Sequence, residues 1–271
     1  MTQKNRGSSI VGDSYRVLRK TVRRCLDAWN RSLEPLRSVV RTRVYAGNRV
    51  RCIVCERTFS AWVDRKSYGS CPGCGSWPRH RFLWSVLKSE WGHQPSRLFL
   101  RILHVAPEDF LKKRIQAVIR PLQYTSLDQS APNADVHADL ENTGLPDQWF
   151  NVVIICHVLE HVLDDCAAMR ELFRLLRKGG VAYVQVPCNQ EAHQTDEDSS
   201  VTDPAERHRR WGQFDHVRLY GRDIIDRLTD AGFAVREIRP SDFLDTGDLE
   251  SAGIWNDVLF RCERPVTSLP A

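Results

Sequence analysis

Residues 138–162 read ADLENTGLPDQWFNVVIICHVLEHV, and residues 172–187 read LFRLLRKGGVAYVQVP. The run Asn151–Cys156 is almost wholly apolar and β-branched, as a strand buried on both faces requires. It breaks into a polar bend, His157-Val158-Leu159-Glu160-His161-Val162. The spacing then predicts a helix over Asp164–Arg177. Gly179-Gly180 supplies the turn that returns the chain to a second apolar strand, Val181–Val186.

Outward from this block the same alternation continues. Strands are expected at Arg101–Ala106, Gln123–Leu127, Asp135–Ala138, Ala234–Ile238 and Val258–Cys262. Helices are expected at Asp109–Arg120 and Arg222–Ala231. Short apolar strands alternating with helices predict a doubly wound, mostly parallel α/β sheet, here of seven strands. Residues 188–213 read as a polar, irregular loop, long enough to serve as a lid.

Upstream lies a different kind of sequence. Cys52-x-x-Cys55 and Cys71-x-x-Cys74 are 15 residues apart. Each pair offers two thiolates from one tight turn, and two such pairs suit a closed, tetrahedral structural Zn²⁺ site. Trp62 and Trp77 are expected to pack this small unit. Arg79, His80 and Arg81 read either as an anion-binding group or as solvent-facing charges that open a helix over 81–91.

Residues 1–51 hold 13 Lys/Arg against 3 Asp/Glu, and the remaining 220 hold 26 against 31. The net charge of +5 is therefore carried by an N-terminal arm. Tyr15, Leu18, Val22, Trp29, Leu33, Leu36 and Val40 fall on one helical stripe with arginines opposite. Such a helix packs on the protein's own body, lies on an anionic membrane surface or grips an acidic partner. Three units are expected: the arm at 1–48, a zinc ribbon with a linker helix at 49–97, and the α/β domain at 98–271. No apolar run of spanning length and no signal-peptide core is present, so a cytoplasmic location is expected.

The order of motifs resembles class I S-adenosylmethionine-dependent methyltransferases of the methyltransferase-11-like group, over roughly residues 98–264. The matching positions are Asp128 ending strand two, Asp139-Leu140 after strand three, the HVLEHV bend after strand four, and Leu176-Arg177-Lys178-Gly179-Gly180 before strand five. The resemblance implies that Asp128 holds the ribose, that Asp139 and Leu140 meet the adenine, and that His157 lies near the sulfonium. The first loop departs from the family. His104 stands where an acid is usual, and Ala106, Glu108 and Phe110 where glycines are, so His104 and Ala106 are the donor-binding candidates there. His161, or His216 oriented by Asp215, is the candidate base, with Arg218 or Tyr220 toward the acceptor.

The acceptor is expected to be a small molecule or glycan-linked group, with nucleic acid disfavoured by the acidic domain. Two other readings compete. His157-x-x-Glu160-His161 matches the H-x-x-E-H order of inverted zinc peptidases, but those need a helix where a strand is expected. His157, Glu160 and His161, with a lid histidine, also suit a divalent cation held in the same site. A non-catalytic zinc-ribbon adaptor gripping nucleic acid is the non-enzymatic alternative.

Overall fold

The computed structural model describes residue 33 and residues 36–64, 69–242, 246–255 and 257–266. The greater part of the arm's predicted stripe, Tyr15 to Trp29, lies outside the described residues. Its end is helical, α1 at 36–44. There Ser38 donates to the Gly73 carbonyl at 2.7 Å, while Leu36, Val39, Val40 and Val44 are exposed. This helix meets the body through polar side chains, not through its apolar ones.

The small unit follows. Strands β1 (Val50–Arg51) and β2 (Thr58–Phe59) form an antiparallel pair. Helix α2 (Pro78–Trp91) starts with proline at its first turn, where the missing N–H is not needed. Cys52, Val54, Phe59 and Cys71 share one buried cluster with α2 and with Ile102 and Val152 of the large sheet. The core is thus continuous from the cysteine unit into the α/β body.

The body contains β3 (Arg101–Val105), α3 (Asp109–Val118), β4 (Gln123–Leu127), β5 (Phe150–Cys156), α4 (Asp165–Leu175) and β6 (Leu176–Gln185). Then come β7 (Asp196–Glu197), α5 (Pro204–Trp211), β8 (Arg218–Leu219), α6 (Ile224–Asp230), β9 (Ala234–Ile238), α7 (Thr246–Ala252) and β10 (Leu259–Glu263). The main sheet runs β4-β3-β5-β6-β10-β9. Its first four strands are parallel, and β10 is antiparallel to both neighbours. Ile102, Val152, Ile154, Val181 and Tyr183 pack toward α2 and α3. Leu103, Val105, Val153, Ile155, Ala182 and Val184 pack toward α4 and α6. Period-two alternation with both faces apolar is what the unbroken hydrophobic strands encode.

Six strands stand where seven were expected. The segment Asp135–Ala138 contributes one parallel bridge, Leu127 to Val136. The pairing stops because the Asp135 carboxylate accepts from both the Ser126 amide (2.8 Å) and hydroxyl (2.6 Å). A side chain occupies the donor that a longer strand would have used. A second difference lies at 176–180, where extended strand replaces the expected helix end and turn; Gly179 has φ +71°, open to glycine. The loop 188–213 is more ordered than expected. It holds β7, paired to β8, and α5, whose N-cap Asp203 accepts from the Ala205 and Glu206 amides. No described helix is long and apolar enough to cross a membrane.

Candidate active site

Parallel strands that stop at one edge leave a crevice at their carboxyl ends. Here it is a cavity of about 690 Å³ lined by Ala106, Asp128, Asp139, Leu140, His157, His161 and Asp215, among others. Seven of the residues expected from sequence therefore converge on one cavity. Gln129, Ser130, Glu141 and Gln213 also line it. They lie in loops that carry no periodic signal, and sequence reading passed over them.

Each wall has a local cause. Ala106 follows β3 with φ +46°, a left-handed conformation rare for a residue with a side chain. Its amide donates to the Leu127 carbonyl at 2.7 Å, which fixes the loop to the neighbouring strand end. Asp128 Oδ1 accepts from the Ser130 and Ala131 amides, both at 2.7 Å. One carboxylate oxygen thus organises the turn, and the other accepts no hydrogen bond among the described residues. Asp139 Oδ1 accepts from the Glu141 amide at 3.0 Å, and Gln129 donates to Oδ2 at 3.3 Å. His157 also has a left-handed φ, +55°, and its amide donates to the Gln185 carbonyl at 2.7 Å. Left-handed backbone thus occurs at two adjacent strand ends, and both residues line the crevice.

Three expected site residues are placed elsewhere. His104 does not reach the cavity. It is fully buried in β3, with Nδ1 2.7 Å from the Tyr124 hydroxyl, and burial lowers its pKa to about 4. Arg218 is buried and donates to the carbonyls of Leu159, Val162 and Leu163, with Glu197 at 2.9 Å. It braces the HVLEHV bend from behind. Tyr220 is also buried and donates to Asp165 at 2.8 Å. Neither lines the crevice, because β8 and the residue after it carry these side chains under the bend.

His161 Nδ1 lies 3.3 Å from the Asp215 carbonyl and 3.7 Å from Asp215 Oδ1. His216 is buried, its ring 4.8 Å from that of His161 and nearly perpendicular. It lines a second cavity of about 540 Å³, which shares His157, His161 and Gln213 with the first. Arg79 and Arg210 are also on its wall.

Behind the crevice, His80 and Arg81 are inside the protein, contrary to both readings made from sequence. Arg81 donates to the Ser76 and Gly253 carbonyls and stacks on Trp62, 4.0 Å from the ring centre. His80 Nδ1 accepts from the Trp77 amide, and Nε2 lies 2.7 Å from Glu108 in the first loop. Burial alone would raise the Glu108 carboxyl; the His80 and His104 rings outweigh it and hold the pKa at about 2. Glu108, a position where the family has glycine, is a link to the cysteine unit.

In that unit all four cysteine sulfurs lie within 4.8 Å of one another, with Cys52–Cys74 and Cys55–Cys71 at 3.7 Å. A tetrahedron with bonds of about 2.3 Å has edges of about 3.8 Å, so the set fits a zinc ion. The two knuckles are alike: Glu56 N–H donates to the Cys52 carbonyl, and Gly75 N–H to that of Cys71. Gly73 N–H donates to Cys71 Sγ at 3.3 Å.

Residues 91–238, more than half of the chain, match the family described as methyltransferase domain. The chain belongs to that family. Over 107 residues it is 30% identical to a protein of Mycolicibacterium smegmatis (strain ATCC 700084 / mc(2)155) named a probable S-adenosylmethionine-dependent methyltransferase. That match spans 39% of this chain and only 37% of the relative's length. Among solved structures, the YcgJ protein of Bacillus subtilis is similar at 13% identity, covering 68% of this chain and 99% of that one, with a TM-score of 0.46. An S-adenosylmethionine-dependent methyltransferase of Mesorhizobium loti is similar at 21% identity, covering 68% and 98%, with a TM-score of 0.45.

Proposed function

We propose that this protein transfers a methyl group from S-adenosylmethionine to a small-molecule or glycan-linked acceptor. The observation that carries the reading is the convergence of Asp128, Asp139 and His157 on one crevice at the strand ends. When bound, the donor supplies an already activated methyl group on a charged sulfur. Asp128 holds the ribose hydroxyls with the oxygen left over from its turn. Asp139 and the Leu140 backbone meet the adenine. Ala106, small enough to let backbone approach the ligand, borders the methionine end.

The remaining wall serves the acceptor, which has to be aligned and kept from water. A hydroxyl or amine gives up a proton as it is methylated. His161, Asp215 and His216 are the groups beside the crevice that can receive or direct it. The four cysteines hold a structural zinc, whose closed thiolate set leaves no position for chemistry. Calorimetry on the zinc-replete protein tests the donor site. Wild type gives a saturable heat with S-adenosylmethionine, and Asp128→Asn weakens it about ten- to hundredfold, the worth of charged hydrogen bonds. Absence of heat in wild type rejects the reading.

A further inference from the structure

Glu160 is fully buried in the bend after β5, yet neither carboxylate oxygen has a hydrogen-bond donor among the described residues. Buried carboxylates are ordinarily given donors or a cation. The groups around it are histidines. His157 Nδ1 stands 3.2 Å from Oε1, outside hydrogen-bond geometry. His216 Nε2 is 3.9 Å from Oε1. One carboxylate oxygen of Glu160, one ring nitrogen of His161 and one of His216 lie within 4.8 Å of one another.

The tautomers sharpen this arrangement. His216 Nδ1 lies 2.8 Å from the Trp211 carbonyl, and His161 Nδ1 3.3 Å from that of Asp215. A carbonyl only accepts, so Nδ1 carries the hydrogen in both rings. In a neutral ring the other nitrogen then presents a lone pair. For His216 that lone pair faces the Glu160 carboxylate. Lone pairs turned on a carboxylate repel unless a cation lies among them. Imidazoles whose second nitrogen donates to a carbonyl are also the usual form of histidine metal ligands.

We infer that Glu160, His161 and His216 bind a divalent transition-metal cation. The site lies where the two cavities meet, since His161 lines both and His216 the second. Three protein ligands leave coordination positions open, and these suit an acceptor oxygen. The statement about the acceptor rests on the proposed methyl transfer; the ion site itself does not. With the ion bound, the two histidines act on the acceptor through it.

The test is Mn²⁺ added to zinc-replete protein, followed by electron paramagnetic resonance and by metal counting after dialysis. Thiolates keep zinc against Mn²⁺, so the cysteine site stays filled. The expected result is one Mn²⁺ per chain beyond the zinc, lost in Glu160→Gln and in His216→Gln. A Co²⁺ titration of wild type covers variants that do not fold. It should give weak visible bands of nitrogen–oxygen ligation without thiolate charge-transfer bands. The inference is overturned if neither ion binds in addition to the zinc, if folded variants retain the ion, or if only thiolate bands appear. Donor heat measured on the same samples separates the two claims. Donor binding without a second ion removes this inference alone, and a second ion without donor binding removes the methyltransferase reading alone.

Discussion

His80 Nε2, in the helix that follows the cysteine knuckles, stands 2.7 Å from Glu108 Oε1, in the loop that follows the first body strand. A residue next to the cysteine unit thus contacts the loop that borders the crevice. The glycine-poor sequence of that loop has a structural counterpart in this contact.

Removing zinc should therefore reach the donor site. Chelation is expected to weaken S-adenosylmethionine binding roughly tenfold, about the worth of one charge-assisted contact. Glu108→Gln should weaken it similarly, and chelating that variant should add little, because both changes break one coupling. Calorimetry on the four samples checks this; fully additive losses would mean that His80–Glu108 is not the route.

His104 predicts the acid limb of stability. Its pKa falls from 6.5 to about 4 through burial. Between those values the unfolded chain binds the extra proton and the folded one does not, so stability declines as pH drops through that window. Above it His104 has no effect. The loss is about 3 kcal/mol at the acid end. Urea midpoints across the window should show this slope in wild type and a flatter one in His104→Gln.

Arg218 ties β8 to the carbonyls of Leu159, Val162 and Leu163, in and just after the bend. Arg218→Met removes this donor from the three carbonyls and from Glu197, which keeps only Arg227 among the described residues, and should destabilise the fold by about 3 kcal/mol. Arg218→Lys should recover only part of this, since an ammonium cannot reproduce the planar fork. Chemical denaturation of the pair measures it. Equal stability of wild type and Arg218→Met would show that the bend holds without this brace.

Ala106 sits at φ +46°. Ala106→Gly relieves strain but frees the unfolded chain, and should change stability by no more than about 1 kcal/mol. Ala106→Val places a β-branched residue in the same conformation and should cost about 2 kcal/mol. It should also crowd the crevice and abolish donor binding. Thermal unfolding together with calorimetry reads both effects.

The sequence by itself determined the strand–helix alternation, because unbroken apolar runs such as Asn151–Cys156 can only be buried on both faces. It determined the thiolate set as well, since two knuckles need little more than spacing. It also pointed to Asp128 and His157, which follow strands that the alternation locates, and through the family resemblance to Asp139; all three line the crevice. What only the tertiary structure decided depends on partners distant in the chain. Arg81 reads as a surface charge until the carbonyl of Gly253 is found beside it. The expected seventh strand ends because Asp135 takes the Ser126 amide. Arg218 and Tyr220 read as acceptor ligands until β8 folds them beneath the bend. Glu160 stands between neighbours in a motif, and only packing reveals a carboxylate sealed from water and faced by imidazoles. Local pattern encodes which residues must be buried; the donor or acceptor each buried polar group meets is settled when remote segments come together.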